Sequence, residues 1–345
     1  MNIQNLIRPS IKALQPYSSA RDEFQGDKNN LIFLDANENP FDNGVNRYPD
    51  PQQTQLKKHI SNLKKVPVEN MLLGNGSDEV LDLIIRMFCE PNQDNIMILP
   101  PTYGMYEVLA NVNAVENLKI NLSPESFQPL AETIISEVNE NSKVLFLCSP
   151  NNPTGNSFDS ASIEILLNNF KGIVVIDEAY IDFSNSESWS LRLNEFPNLI
   201  VTQTLSKAYG MAGIRLGICF ASAEIIATLN KIKAPYNIND LTQTRAIEGL
   251  QNIENVNAQI SELIAQREIL KLALSSISYI LKIYPSDANF IMVKVDDANK
   301  RYQQLLERGF VIRNRTSQPL CDHCLRLTIG TPEENKILID NLKTL

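Results

Sequence analysis

The sequence predicts an α/β protein: a large domain whose mainly parallel sheet is sandwiched by helices, plus a smaller α+β domain. Three observations lead there. Between Asn95 and Thr204, short apolar runs rich in Val, Ile and Leu alternate with segments whose apolar residues recur at helical spacing, the pattern of parallel strands covered by helices. The chain has 345 residues, 43% of them hydrophobic, enough for one substantial core and a smaller one. After a long helical segment at 256–275 the pattern changes to closely spaced strands and helices, which is α+β order. The expected divisions are an arm with part of the small domain over 1–44, the large domain over 45–250 and the small domain over 251–345.

The first forty-odd residues are turn-rich and end in a short expected strand at 31–34 running into polar turn residues. The proline-punctuated stretch NRYPDP, 46–51, displays Tyr48 on a loop, where a packing tyrosine is the plain alternative to a functional one. A helix follows at 52–65, with Leu56, Ile60 and Leu63 at helical spacing. Next come a strand at 71–73, a glycine turn at 74–77 and an apolar helix at 78–88. Free N–H groups at such a helix start attract phosphate, and Ser77 can cap the helix or touch the anion; Asp78 and Glu79 equally make a plain capped helix.

Strands are expected at 96–99, 144–147, 173–176 and 199–203, with helices from about 103, at 132–139 and at 162–170. Tyr103 and Tyr106 begin a helix at a strand's carboxyl end, so either ring can stack on a flat cofactor or simply fill core. The turn SPNNPTG, 149–155, holds its backbone rigid with prolines and a glycine, which makes Asn152 a candidate fixed hydrogen-bond donor. Asp177 follows four apolar residues and is the carboxylate most exposed to desolvation; Glu178 and Tyr180 share its sheet edge. Metal binding is the rival reading of Asp177 and Glu178, but no histidine or further carboxylate stands at ligand spacing, so no metal is expected.

The segment TLSKAYGMAGIRLG, 204–217, places Lys207 at the carboxyl end of a strand, where open α/β sheets bind ligands. Thr204 and Ser206 supply hydroxyls, Gly210 and Gly213 admit close backbone approach, and Arg215 offers a planar fork suited to phosphate. The alternative is a solvated lysine after a strand. Amine, hydroxyls and arginine together point to an anionic carbonyl cofactor, and pyridoxal phosphate meets those demands. A protonated pyridine nitrogen would keep Asp177 ionised, and Tyr180 and Asn152 could hold the ring's phenolic oxygen.

After Gly217 the sheet is expected to give way to helices at 224–232, 240–250 and 256–275. Beyond them lie strands at 280–283, 289–293, 311–312 and 325–329, a helix at 300–308 and a terminal helix from about 331. Arg326 within an apolar strand, and Arg313 with Arg315 after another, could grip anionic groups or be used in internal salt bridges. Cys321 and Cys324 flank His323 like half of a zinc site whose other half is missing.

The net charge of −9 argues against nonspecific binding to nucleic acid or an anionic membrane. The chain has two histidines, His59 and His323, so a histidine base has few candidates. An odd set of five cysteines, three of them in apolar segments, and an N-terminus without an uninterrupted apolar stretch suit a soluble cytoplasmic protein.

Taken in order and spacing, SPNNPTG, the strand ending VVIDEAY (174–180) and TLSKAYGMAGIRLG resemble the fold-type I pyridoxal-phosphate aminotransferases, most closely their histidinol-phosphate branch, nearly end to end. The resemblance implies that Lys207 binds the cofactor covalently, Asp177 pairs with its ring nitrogen, Asn152 and Tyr180 hold its phenolic oxygen, and Ser206 and Arg215 grip its phosphate beside Thr204. GNGSDE, 74–79, is similar to the family's phosphate turn, assigning Ser77 and Asp78 to it, and Tyr103 corresponds to the ring-stacking aromatic. NRYPDP resembles the segment by which Tyr48 reaches the partner subunit's phosphate, implying a homodimer. CLRLTIGT (324–331) assigns Arg326 to a substrate carboxylate, VIRNR (311–315) assigns Arg313 to the substrate phosphate, and PYSSARDE (16–23) matches an arm whose Tyr17 closes over substrate. Many relatives have a proline-glycine turn where this chain has 18–21, which leaves the arm's contacts, Arg21 included, open. The implied reaction moves an amino group between L-histidinol phosphate and 2-oxoglutarate, giving imidazole acetol phosphate and glutamate. A threonine-phosphate decarboxylase, an aromatic-amino-acid aminotransferase and a noncatalytic cofactor-sensing regulator are the rivals, and the last lacks chain length for an added domain.

Overall fold

The seven-stranded sheet of the large domain has the order β1-β7-β6-β5-β4-β2-β3. These strands are β1 Met71–Asn75, β2 Asn95–Ile98, β3 Glu116–Lys119, β4 Ser142–Cys148, β5 Ile173–Asp177, β6 Leu199–Thr204 and β7 Leu216–Ala221. The computed structural model describes residues 2–17 and 32–345. Strands β3, β2, β4, β5 and β6 run parallel to their neighbours, while β7 lies antiparallel between β6 and β1. Alternation along each strand feeds two cores. Leu73, Met97, Leu145 and Val174 face one layer of helices, and Leu72, Ile96, Val144 and Val175 face the other. Burying each such side chain contributes roughly 1.5–3 kcal/mol.

The smaller sheet has the order β10-β11-β9-β8, with β8 Ile280–Ile283, β9 Phe290–Val295, β10 Arg313–Asn314 and β11 Cys324–Thr328, and all its pairings are antiparallel. Strand β9 divides its side chains between two cores: Phe290 and Met292 join the large core, whereas Ile291, Val293 and Val295 pack with Leu325, Leu327 and Leu338. The helix Ile253–Leu274 joins both regions, since Val256 belongs to the large core and Leu270 and Leu274 to the small one.

Three expectations are corrected here, and one strand is added. Gly217 does not end the sheet: 216–221 forms β7, fully buried, with an apolar run so short that it reads as the tail of the lysine segment. Strand β3, with the sequence ENLK, has the polar character of an exposed sheet edge and gives no apolar signal. No strand forms at 32–34, where Ile32 and Leu34 are exposed instead of facing a core; Leu31 and residues 18–21 lie outside the described residues. The pairing near 311–312 falls on Arg313 and Asn314, because Val311 is exposed and the next two residues meet β11.

The first β-strand ends where the lysine segment returns. Gly74 lies opposite Gly217, and a Cβ on Gly217 would stand 2.5 Å from the backbone of Gly76 and Ser77. Glycine therefore brings β7 against the start of the helix Ser77–Phe88. Gly217→Ala should force that backbone apart at a cost of about 1–3 kcal/mol, read as a lower denaturant midpoint; an unchanged midpoint would show that the close approach is dispensable.

Candidate active site

The carboxyl ends of the parallel strands and the arginine-bearing edge of the small sheet enclose a cleft of about 490 Å3. Ser77, Asp78, Tyr103, Asn152, Asp177, Tyr180, Thr204, Ser206, Lys207, Arg215, Arg313 and Arg326, all singled out by the sequence, line it together. Tyr48 and Tyr17 do not. Tyr48 is half exposed and stacks on Tyr236 at 4.5 Å beside a separate depression that Glu38, Arg47 and Asp240 help to line. Tyr17 is 72% exposed.

At one end the helix Ser77–Phe88 starts at Gly76, whose φ of 79° suits glycine, and no side chain caps its first N–H groups. Arg215 arches over Gly76: its carbonyl accepts from Gly76 N–H at 2.8 Å, and its Nη2 stands 3.6 Å from Asp78 Oδ2. Thr204 Oγ1 accepts from the Ser206 N–H at 3.1 Å, lies 3.0 Å from Ser206 Oγ and donates to Leu216 O at 3.1 Å. Uncapped N–H groups, two hydroxyls and a guanidinium converge there as an anion cradle.

Strand β5 ends in Asp177, which is 3% exposed. Burial pushes its carboxyl above the usual carboxylate range, opposed by the Tyr106 hydroxyl, donating to Oδ2 at 2.7 Å, and the Ala179 N–H, donating to Oδ1 at 3.2 Å. Tyr106 is itself fully buried and stacks on Phe146 at 4.8 Å. Among the described residues no cation pairs with Asp177. The fit to a protonated pyridine nitrogen is therefore good, since that ring supplies the missing cation.

Lys207 occupies the turn after β6, held by Gly210 N–H donating to its carbonyl at 3.1 Å and Met211 N–H to Leu205 O at 3.0 Å. Solvent reaches its side chain, yet desolvation by the cleft wall, with Arg326 and Arg215 adding repulsion, lowers its pKa, while Asp177 and Asp78 oppose the shift. A lysine so placed is neutral more often and so more nucleophilic. Its Nζ lies 5.8 Å from the Tyr180 ring centroid.

Asn152 belongs to a turn locked by its buried neighbour. Asn151 Nδ2 donates to Pro101 O at 2.9 Å and Thr154 Oγ1 at 2.8 Å, and its Oδ1 accepts from Thr102 Oγ1 at 3.2 Å. Arg326 Nη1 donates to Asn152 Oδ1. Because arginine only donates, this contact fixes the amide with its NH2 available to the cleft. Tyr103 donates to Asp78 Oδ1 at 3.1 Å and meets Tyr106 edge-on.

Three contributors were not assigned from sequence. Tyr106, which the sequence offers as a stacking ring or a core aromatic, is indeed core, but its contact to Asp177 crosses 71 positions. Asn151 looked like turn chemistry. Glu178 was weighed as a metal ligand and instead accepts from Ser188 Oγ at 2.5 Å, Trp189 N–H at 2.7 Å and Gln203 Nε2 at 2.8 Å, buried behind the site. Cys321 and Cys324 are buried free thiols, and among the described residues no group of three His, Cys, Asp or Glu side chains could hold a metal.

Over residues 25–342 the chain matches the aminotransferase class I and II family. The chain belongs to that family. A histidinol-phosphate aminotransferase of Flavobacterium johnsoniae is 61% identical, covering 100% of this chain and 99% of that protein. One from Flavobacterium psychrophilum is 60% identical, with the same two coverages. Among solved structures, the histidinol-phosphate aminotransferase from Clostridium acetobutylicum superposes with a TM-score of 0.79 at 26% identity, over 87% of this chain and 90% of that one. The fold of this aminotransferase is thus shared with that solved structure over most of its length.

Tyr106→Phe should leave Asp177 short of a donor and less readily ionised, weakening cofactor affinity by roughly tenfold; equilibrium dialysis at unchanged affinity would show that the hydroxyl is irrelevant. Burial pushes Glu178 up from 4.5 to about 7, with the hydrogen bonds from Ser188, Trp189 and Gln203 resisting. A raised carboxyl contributes stability that is full below its unfolded pKa and lost as pH rises through about 7. The advantage of wild type over Glu178→Gln should therefore shrink between pH 5 and pH 8, by on the order of 3 kcal/mol. Urea unfolding at both pH values measures it, and a constant gap would contradict the buried-carboxyl account.

Proposed function

We propose that this chain is a histidinol-phosphate aminotransferase, moving an amino group reversibly between L-histidinol phosphate and 2-oxoglutarate in histidine biosynthesis. One observation carries the reading: a single cleft holds a buried carboxylate that needs a cation at one end and an arginine pair that needs anions at the other. The full-length relatives of that name support the choice of substrate.

Bound pyridoxal phosphate supplies the carbonyl carbon that receives the amino group and a protonated ring that draws off electrons. The uncapped N–H groups after Gly76, with Ser77, Asp78, Thr204, Ser206 and Arg215, hold its phosphate. Asp177, Asn152, Tyr180 and Tyr103 line the same cleft; Asp177 would pair with the ring nitrogen, Asn152 and Tyr180 would hold the phenolic oxygen, and Tyr103 would cover the ring face. Lys207 would hold the cofactor at rest, and its Nζ, once freed by the substrate amine, would take a proton from the substrate carbon and give it back on the cofactor side. Arg326 takes the carboxylate of glutamate or 2-oxoglutarate, and Arg313 takes the phosphate of histidinol phosphate.

The active site is shared in a homodimer, Tyr48 reaching the phosphate of the partner's cofactor and Tyr17 closing over substrate. What supports this is their position outside the cleft and the exposed Ile32, Leu34 and Phe41 on the nearby arm. No helix among the described residues is long and apolar enough to cross a membrane, and the five cysteines are free thiols; we place the enzyme in the cytoplasm.

The test mixes cofactor-loaded protein with L-histidinol phosphate and no keto acid. The visible absorbance should pass from the aldehyde form of the cofactor to its amine form and return on adding 2-oxoglutarate, without release of carbon dioxide. Gas release with no need for acceptor would instead identify a decarboxylase. Lys207→Ala should keep cofactor bound while turnover falls at least 10²–10⁴-fold; undiminished turnover would remove Lys207 from the mechanism.

A further inference from the structure

We propose that Arg315 is a third anion-binding side chain of the substrate subsite, one that shares with Arg313 the phosphate monoester dianion of the substrate beside Arg326. The inference rests on the substrate reading above and adds a residue that decides between phosphorylated and unphosphorylated amines.

The backbone aims all three arginines at one place. Arg313 lies opposite Arg326 in the β10–β11 register. Arg315 extends that pairing, its N–H donating to Cys324 O at 2.8 Å, so it follows Arg313 by the two-residue step that returns to the same sheet face. A tight turn fixes it: Gln318 N–H donates to Arg315 O at 2.9 Å, and Thr316 N–H donates to Asn314 Oδ1 at 3.0 Å. All three side chains line the cleft.

Electrostatically this arrangement is costly without a ligand. Like charges placed directly opposite across two strands are destabilising. Among the described residues none of the three guanidinium groups has a carboxylate within 4.0 Å, and the Nε atoms of Arg315 and Arg326 are buried without a hydrogen-bond partner. Burial, then repulsion from Arg315 and Arg313, lowers Arg326 to about 10. Arg315 is pushed down by burial and by Arg313.

Two arginines remote from the cleft look different. Arg301 grips Asp296 with two bonds of 2.9 and 2.7 Å, and Arg192 meets Glu164 and Glu195 at 2.6 Å each. The unpaired trio has the form of a site waiting for anionic oxygens. A carboxylate offers two oxygens and is satisfied by one guanidinium fork, whereas a phosphate monoester offers three oxygens and two charges. Arg326 is already engaged with Asn152 at the cofactor end. That leaves Arg313 and Arg315 to share the remote dianion.

The test compares cofactor-loaded wild type with Arg315→Gln and Arg315→Lys, so that the cofactor's own phosphate cradle is filled. For Arg315→Gln, KM for L-histidinol phosphate should rise about 10- to 100-fold, exceeding any fall in kcat, while KM for 2-oxoglutarate changes much less. Arg315→Lys, which keeps charge but loses the fork, should recover part of that loss. In phosphate-free buffer the Tm of Arg315→Gln should equal or exceed that of wild type, because repulsion is relieved; inorganic phosphate should then raise the wild-type Tm more. A lower Tm with unchanged KM would make Arg315 a structural residue and overturn the proposal. Should wild type fail to turn over L-histidinol phosphate, the substrate reading falls separately. Calorimetry with inorganic phosphate then decides Arg315: roughly tenfold weaker binding by Arg315→Gln upholds its role, and equal binding overturns it.

Discussion

A carboxylate with no cation beside it, closed into the middle of a protein, is the constraint around which this molecule is arranged. Asp177 is reached by almost no solvent and is steadied by Tyr106 and the Ala179 N–H. Two neutral donors lessen the cost of holding a charge there without supplying the opposite charge. In the proposed reading a cationic ring nitrogen supplies that charge. The parallel strands make this possible: β5 carries Asp177 to its carboxyl end between β4 and β6, whose own ends lead to the asparagine turn and to Lys207.

The cofactor-binding end depends on backbone proximity more than on side chains. Gly76, Gly74 and Gly217 let an antiparallel strand lie against a helix start, so that free N–H groups, two hydroxyls and Arg215 surround one small volume. Arg215 itself adopts a left-handed backbone, φ 55°, at a cost of roughly 1–3 kcal/mol, held by its carbonyl's bond to Gly76. Strain and uncapped polar groups are gathered at the same spot. That is the distribution expected where binding, and not folding, decides which residues are kept.

The opposite wall has the complementary imbalance. Among the described residues, its three guanidinium groups have no carboxylate partner, and one of them, that of Arg326, touches Asn152. An excess of cation facing an excess of anion across a cleft would collapse into ion pairs if the two were adjacent. The two ends line one cleft, together with Lys207 and Tyr180, and among the described residues no ion pair joins Asp177 to the three arginines.

Local sequence specified the set of groups and their order along the chain. Apolar runs ending in Asp177 and Lys207, a proline-locked Asn152, a glycine turn before Ser77 and an arginine in an apolar strand each announce themselves locally, because strand period, turn chemistry and desolvation cost are read over a few residues. Most strands of the large sheet were legible for the same reason. The tertiary structure alone decided what depends on partners distant in sequence. It made 216–221 an antiparallel central strand, it paired Asp177 with Tyr106, it turned Glu178 from a possible ligand into a buried anchor, and it set Arg313 opposite Arg326. Hydrogen bonds and like-charge contacts across tens of residues arise from strand order and register, and no local pattern encodes them.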